Sequence, residues 1–159
     1  MLNQNENYIF DSAFECGNLD VVNKKGPNEF DLFLRSDSNT RRSHQWFYFS
    51  ITNKIIGKIK INIQNLTRPN SFFQKGMRIC LFSKRKFEDH EILNFRGGEN
   101  IEYKNSFLSP LYHKYFGVES NYAEKIIFAF HLNIILTKKM IRCIFHFLNH
   151  ILTLIYVIF

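Results

Sequence analysis

The sequence predicts an all-β protein, an antiparallel β-sandwich. Three observations carry that expectation. Lys58-Ile59-Lys60-Ile61-Asn62-Ile63-Gln64 alternates apolar and polar residues without a break, the period of a half-buried strand. Clusters of Gly, Pro, Asn, Asp and Ser recur between short apolar runs, as turns do. No stretch before residue 132 carries a convincing helical period.

The strands follow in chain order. Phe30-Asp31-Leu32-Phe33-Leu34-Arg35 places Phe30, Leu32 and Leu34 on one face, and residues 36–40 form a polar turn. Trp46-Phe47-Tyr48-Phe49-Ser50-Ile51-Thr52-Asn53 is apolar on both faces, the pattern of a central strand covered on both sides. In the alternating strand that follows, Ile59, Ile61 and Ile63 face inward while Lys58, Lys60 and Asn62 are expected to face water. Arg68-Pro69-Asn70-Ser71 turns the chain, and Met77-Arg78-Ile79-Cys80-Leu81-Phe82 alternates again. Arg96-Gly97-Gly98-Glu99-Asn100 punctuates before Ile101-Glu102-Tyr103-Lys104, and Ile126-Ile127-Phe128-Ala129-Phe130 reads as one more strand. The sequence shows no internal repeat.

At 159 residues the chain is one domain of ordinary size, and its 18 phenylalanines supply enough apolar surface for a core. That composition excludes a disordered chain. The net charge of +7 is unevenly placed. All 14 acids lie at or before Glu124, whereas residues 126–159 carry only Lys138, Lys139 and Arg142. A mildly basic domain tolerates an acidic partner without demanding one.

The last 28 residues, 132–159, contain no Gly, Pro, Asp or Glu. Residues 140–159 are dominated by Ile, Leu and Phe and are long enough to span a bilayer, but Arg142, His146, Asn149 and His150 interrupt them, which makes a membrane partner a poor expectation. The structure of this tail is left open, with a helix as one alternative.

Cys16, Cys80 and Cys143 are far apart and form no CxxC pair, so they are expected to be buried free thiols in a reducing compartment. The first residues have neither a basic n-region nor an apolar run, against a secretory signal. Without secretion the sequon Asn65-Leu66-Thr67 carries no meaning.

No catalytic constellation emerges. None of His44, His90, His113, His131, His146 and His150 begins an HxxE or HExxH zinc motif. His146 and His150 have the i, i+4 spacing of two helical ligands but lack an acidic third. Ser43-His44 has no acid placed to orient the imidazole, and Gly97-Gly98 is an isolated pair rather than a phosphate loop. No catalytic, cofactor-binding or metal-ligating residue is assigned. The basic groups Arg41-Arg42, Lys54/Lys58/Lys60 and Lys84-Arg85-Lys86 read first as solvated faces, and as an electropositive surface for acidic polypeptide second. The aromatics alternate into strands instead of interleaving with these bases, so nucleic acid is not expected as a partner.

Phe14-Glu15-Cys16-Gly17-Asn18-Leu19 resembles the Phe-Glu-Ser-Gly-Asn-Leu opening of the cytosolic carboxypeptidases. The stretch from Phe30 through Thr40 resembles their next strand and turn, and His44-Gln45-Trp46-Phe47-Tyr48-Phe49 their Gln-Trp-Phe-Tyr-Phe strand, ending at Asn53. Asn65, Ser71-Phe72-Phe73, Gly76-Met77-Arg78, Arg96-Gly97, Ile101 and Tyr103 continue the series in the same order, over roughly residues 8–131. The resemblance implies the β-sandwich that precedes the catalytic domain in that family of zinc metallocarboxypeptidases. That family trims glutamates from proteins, notably tubulin, in the cytoplasm. Its zinc ligands, an HxxE pair and a later His, belong to the following domain, and no position here matches them.

Residues 1–131 are therefore expected to be the N-terminal sandwich, without a catalytic domain in this chain. The family pattern continues with Pro-Tyr-Thr-Tyr, whereas this chain reads Leu132-Asn133-Ile134-Ile135. Residues 132–159 are expected to be foreign to the family, as translated intron or a shifted frame would be. The functional expectation is an accessory domain, inactive alone, that supports a zinc carboxypeptidase domain and its substrate groove. The alternatives are a stand-alone module for acidic tails and a tail-anchored membrane protein.

Overall fold

The computed structural model describes residues 7–36, 44, 46–67, 71–92, 94–106, 127–136 and 142–146. They form ten strands, β1 (Tyr8–Asp11), β2 (Leu19–Gly26), β3 (Glu29–Leu34), β4 (Tyr48–Asn53), β5 (Gly57–Leu66), β6 (Ile79–Ser83), β7 (Phe95–Gly97), β8 (Glu99–Ser106), β9 (Ile127–Leu136) and β10 (Arg142–His146). A 3-10 turn, Phe72–Lys75, precedes β6, and a short helix, α1 (Lys84–His90), follows it. The strands make two five-stranded sheets, in the orders β1-β4-β10-β6-β7 and β2-β3-β5-β9-β8. The all-β sandwich is thus as the sequence predicts.

One pairing departs from the antiparallel rule: β3 lies parallel to β5, with Phe30 opposite Ile61 and Leu32 opposite Ile63. The cause is connectivity. The intervening strand, β4, belongs to the other sheet, so the chain crosses the sandwich and returns in its original direction.

The core follows from period 2. Phe30, Leu32 and Leu34 of β3 and Ile59, Ile61 and Ile63 of β5 meet Tyr8, Phe10, Phe49, Ile51, Ile79 and Leu81 of the first sheet, all at most 3% exposed. Each such Leu, Ile or Phe contributes about 1.5–3 kcal/mol by leaving water. Phe30 lies edge-on to Tyr8 at 5.5 Å and tilted against Phe10 at 4.9 Å, joining the two sheets. Phe73, from the 3-10 turn, stacks between Phe47 at 6.1 Å and Tyr103 at 6.4 Å.

Several elements differ from expectation. The region before residue 132 holds α1, which the hydrophobic pattern does not reveal because none of its seven residues is buried. Its signal is polar: the Ser83 hydroxyl accepts from the Lys86 N–H, and Glu91 ends the helix in the left-handed conformation. The 3-10 turn is marked similarly, by a capping box between Ser71 and Gln74 and by Gly76 at φ 86°. Asn62 is fully buried instead of facing water. Residues 95–97 and 99–106 are strands rather than punctuation and one short strand, and Gly98, at φ 94°, is the corner at which the chain passes from β7 in one sheet to β8 in the other.

Of the tail, residues 132–136 and 142–146 are described, both as strand, and the remainder of 140–159 lies outside the described residues. Strand β9 pairs with β5 from Leu66↔Phe128 to Gly57↔Leu136, so it runs through the boundary expected at 131. Strand β10 sits between β4 and β6 in the first sheet. Among the described residues no helix is long and apolar enough to cross a membrane.

Candidate functional site

Among the residues that carry the sequence resemblance, Asn18 lies where the two sheets are tied together. Asn18 opens β2. Its main-chain N–H donates to Tyr48 O at 3.0 Å, its Nδ2 donates to Trp46 O at 2.9 Å, and its Oδ1 accepts from Tyr48 N–H at 2.8 Å. Arg35 N–H donates to Asn18 O at 2.7 Å. One buried side chain thus acts as a piece of strand, holding the start of β2 against the start of β4 across the sandwich. The preceding turn comes close enough that a Cβ on Gly17 would stand 2.2 Å from Ser12 O, so only glycine fits. The Arg35 guanidinium closes the corner by donating to Gly17 O at 2.6 Å.

Asn65 does the same inside the second sheet. Near the end of β5 its Oδ1 accepts from Leu34 N–H and its Nδ2 donates to Leu34 O, both at 2.9 Å. It is fully buried, so these bonds satisfy groups that would otherwise be stranded. The sequon therefore lies on a structural residue.

His44 is 2% exposed. Its main-chain N–H donates to Thr67 Oγ1 at 3.0 Å, Thr67 N–H donates to His44 O at 3.0 Å, and its Nε2 is 3.2 Å from Ser36 Oγ. These contacts place the imidazole in the frame of the domain, away from solvent where a substrate would approach. Ser43 lies outside the described residues.

A second polar cluster covers the outer face of β3 and β5. The Asp31 carboxylate accepts from Asn62 Nδ2 at 2.8 Å and Gln64 Nε2 at 3.0 Å. Glu29 Oε1 accepts from Asn62 Nδ2 at 3.0 Å and pairs with Lys60 at 3.1 Å and Lys25 at 3.8 Å. The hydrogen bond from Asn62, then that from Lys60, hold the Glu29 carboxyl below the usual carboxylate range. Asn62 bridges Asp31 Oδ1, which also accepts from Gln64, and Glu29 Oε1, which also pairs with lysines, an arrangement that rigidifies the strands. Among the described residues no group of three His, Cys, Asp or Glu side chains is placed to hold a metal ion.

The other residues singled out from the sequence scatter. Lys58 pairs with Glu99 at 3.1 Å, Lys84 with Glu88 at 3.8 Å and Arg85 with Asp89 at 3.0 Å, while Lys86 Nζ lies 3.7 Å from the centre of the Phe95 ring. Much of the basic surface is therefore neutralised locally. Arg41, Arg42, His113 and His150 lie outside the described residues. His146 is the last residue of a strand rather than part of a helix. Cys16 and Cys80 are free thiols as expected, but they are not buried: Cys16 is exposed on the turn before Gly17, at φ 62°, and Cys80 is half-buried. Cys16 belongs to a tight turn on the surface rather than to a strand, which is why the burial common for Cys does not apply.

Asn18 and Asn65 stand among the residues that carry the sequence resemblance, but their hydrogen-bonding role does not follow from strand periodicity; its signal is the order Gly17-Asn18 and Asn65 at a strand end, positions where an amide side chain pairs readily with main chain.

Residues 10–81, which include Asn18, His44 and Asn65, match the cytosolic carboxypeptidase N-terminal domain. Cytosolic carboxypeptidase 3 of Bos taurus is 36% identical over 102 residues, 64% of this chain and 10% of that protein. Cytosolic carboxypeptidase 1 of Homo sapiens is 39% identical over 100 residues, 62% of this chain and 8% of that protein. The chain thus spans about a tenth of the length of these relatives. A metallo-carboxypeptidase from Burkholderia cenocepacia shares the fold, with a TM-score of 0.52 and 16% identity over 86% of this chain and 28% of that one. Over residues 10–81 and in these sequence matches, the chain resembles the N-terminal domain of the cytosolic carboxypeptidases.

Proposed function

We propose that this chain is an accessory, non-catalytic domain of a cytoplasmic zinc carboxypeptidase system that removes glutamates from proteins such as tubulin. It supports the catalytic domain and walls one side of its substrate groove. The observation that carries this reading is the coincidence of the family match with the joints of the sandwich. Residues 10–81 contain the bonds of Asn18, His44 and Asn65, all of which serve to hold a surface in shape. A domain whose distinctive polar residues are spent on its own backbone acts by presenting a rigid face. Zinc, in this reading, belongs to the catalytic domain.

The test is a glutamate-release assay on a polyglutamate-ended peptide with added zinc. The chain alone is expected to release none. Added to the catalytic region of the Bos taurus relative lacking its own N-terminal domain, it is expected to raise the rate at least about tenfold. Release by the chain alone, or an unchanged rate in the mixture, would overturn the proposal.

A further inference from the structure

The two ends of the sandwich differ in how their charges are matched. At the end where β3, β5 and α1 begin, bases meet acids: Lys25 and Lys60 pair with Glu29, Lys58 with Glu99, Lys84 with Glu88 and Arg85 with Asp89. The opposite end is where β2, β4 and β6 begin. Asn18 ties the first two there, and β4 and β6 run in the same direction because both are antiparallel to β10.

That second end carries bases without acids. Arg78 stands just before β6, and Lys75 closes the 3-10 turn that leads into it. Arg96, on β7, lies opposite Cys80, and its Nη1 donates to Arg78 O at 3.1 Å. That bond holds the Arg96 guanidinium against the main chain of Arg78. All three residues are exposed. Among the described residues no carboxylate pairs with any of them. The Lys75 ammonium lies instead 5.7 Å from the centre of the Phe72 ring. The 3-10 turn packs on β8 through Phe73 and Tyr103, but the acids of β8, Glu99 and Glu102, are held by Lys58 and Lys104.

The bases that stand out in the sequence as groups, Lys58/Lys60 and Lys84-Arg85, are thus matched within the fold. Arg78 and Arg96 are 18 residues apart and become neighbours only when β7 pairs with β6. Two guanidinium groups side by side without a counter-charge raise the local potential and favour an anion. Each takes a carboxylate through two parallel N–H bonds. With Lys75 they form an open, extended row rather than a cup, which suits several carboxylates on one chain.

We propose that Arg78, Arg96 and Lys75 form a binding site for an acidic polypeptide tail, a run of glutamates whose carboxylates pair with the two guanidiniums. The identity of the ligand rests on the proposed function, in which glutamate-bearing chains are the substrate. Binding is measured on the chain alone, without a catalytic domain, so failure of the site is distinguishable from failure of the accessory role.

The test titrates a labelled hexaglutamate peptide into the full chain at low salt. Binding is expected, and high salt should abolish it. Arg78→Gln together with Arg96→Gln should weaken it at least about fivefold. Lys84→Gln together with Arg85→Gln removes the same charge from paired residues of α1 and should leave it within about twofold. In the unaltered chain the peptide should slow amide hydrogen exchange at residues 75–78 and 95–97, a readout that does not depend on how the variants fold. Absence of binding, equal weakening by the two double variants, or protection at α1 instead overturns the proposal. So does displacement of the peptide by inorganic phosphate at the same concentration, which would mark a site for any small anion.

Discussion

The two sheets are held together in different ways. The second is built on ten-residue strands: β5 pairs with β9 along nearly its whole length and with β3 on its other side. Its outer face adds the polar cluster of Glu29, Asp31, Asn62 and Gln64. The first sheet is made of strands of three to six residues, joined through β10. Long ladders cooperate over many residues, whereas short ones depend on what packs against them and on the staple from Asn18 to Trp46 and Tyr48. The difference teaches that the second sheet is the platform and the first is held onto it, through the aromatic core and a few hydrogen bonds.

The sharpest way to break that relation is to cut the contact between platform and dependent sheet. Phe30 is 1% exposed and touches both Tyr8 and Phe10 across the core. Phe30→Ala is expected to cost about 3–5 kcal/mol, with a cavity that strands of the first sheet cannot easily close. Urea denaturation should show the loss, and hydrogen exchange should show β1 and β4 opening before β3 and β5. Uniform opening of all four strands would count against a platform and a dependent sheet.

A smaller effect separates the two asparagines. Asn65→Ala removes the bonds to Leu34 N–H and C=O at the end of the β3–β5 ladder, and Asn18→Ala removes the bonds to Tyr48 N–H and Trp46 O at the joint between sheets. Each is expected to cost about 2–3 kcal/mol, from lost bonds to buried groups. Exchange should rise locally in β3 for the first and in β4 for the second. If both variants loosen β4 alone, Asn65 is coupled to the joint rather than to its own sheet.

The sequence made the platform readable because its information is local. Ile59, Ile61 and Ile63 alternate with polar residues, and Phe30, Leu32 and Leu34 repeat the pattern, so both strands and their buried faces follow from period 2. What it hid is non-local. Asn62 sits at an outward position and reads as solvated, yet Glu29 and Asp31 on the neighbouring strand bury its amide in hydrogen bonds. The parallel pairing of β3 and β5 depends on β4 joining the other sheet, which no window of residues reveals. Helix α1 escaped because it has no buried face to set a period. For the site, Phe14 through Asn18 and His44 through Phe49 were legible as family residues, but their role as joints appears only when distant main-chain groups meet them.

The smallest predicted effect tests whether the polar face strengthens the platform. Glu29 is partly exposed, and its folded carboxyl lies below its usual value, first through Asn62 and then through Lys60 and Lys25. A depressed carboxyl contributes stability that is present above the unfolded value, near 4.3, and is lost as pH falls through the lower folded value. Wild type should therefore exceed Glu29→Gln in stability at pH 7, by about 0.5–1 kcal/mol for a partly solvated pair. The gap should narrow once Glu29 is protonated, at pH 3. High salt should narrow it too, because the lysine contributions are screened while the Asn62 bond is not. Urea midpoints at the two pH values, with and without 1 M salt, measure this. A gap that stays constant with pH would mean that the carboxylate charge does not strengthen the second sheet, leaving its stability to the ladders and the isoleucines beneath them.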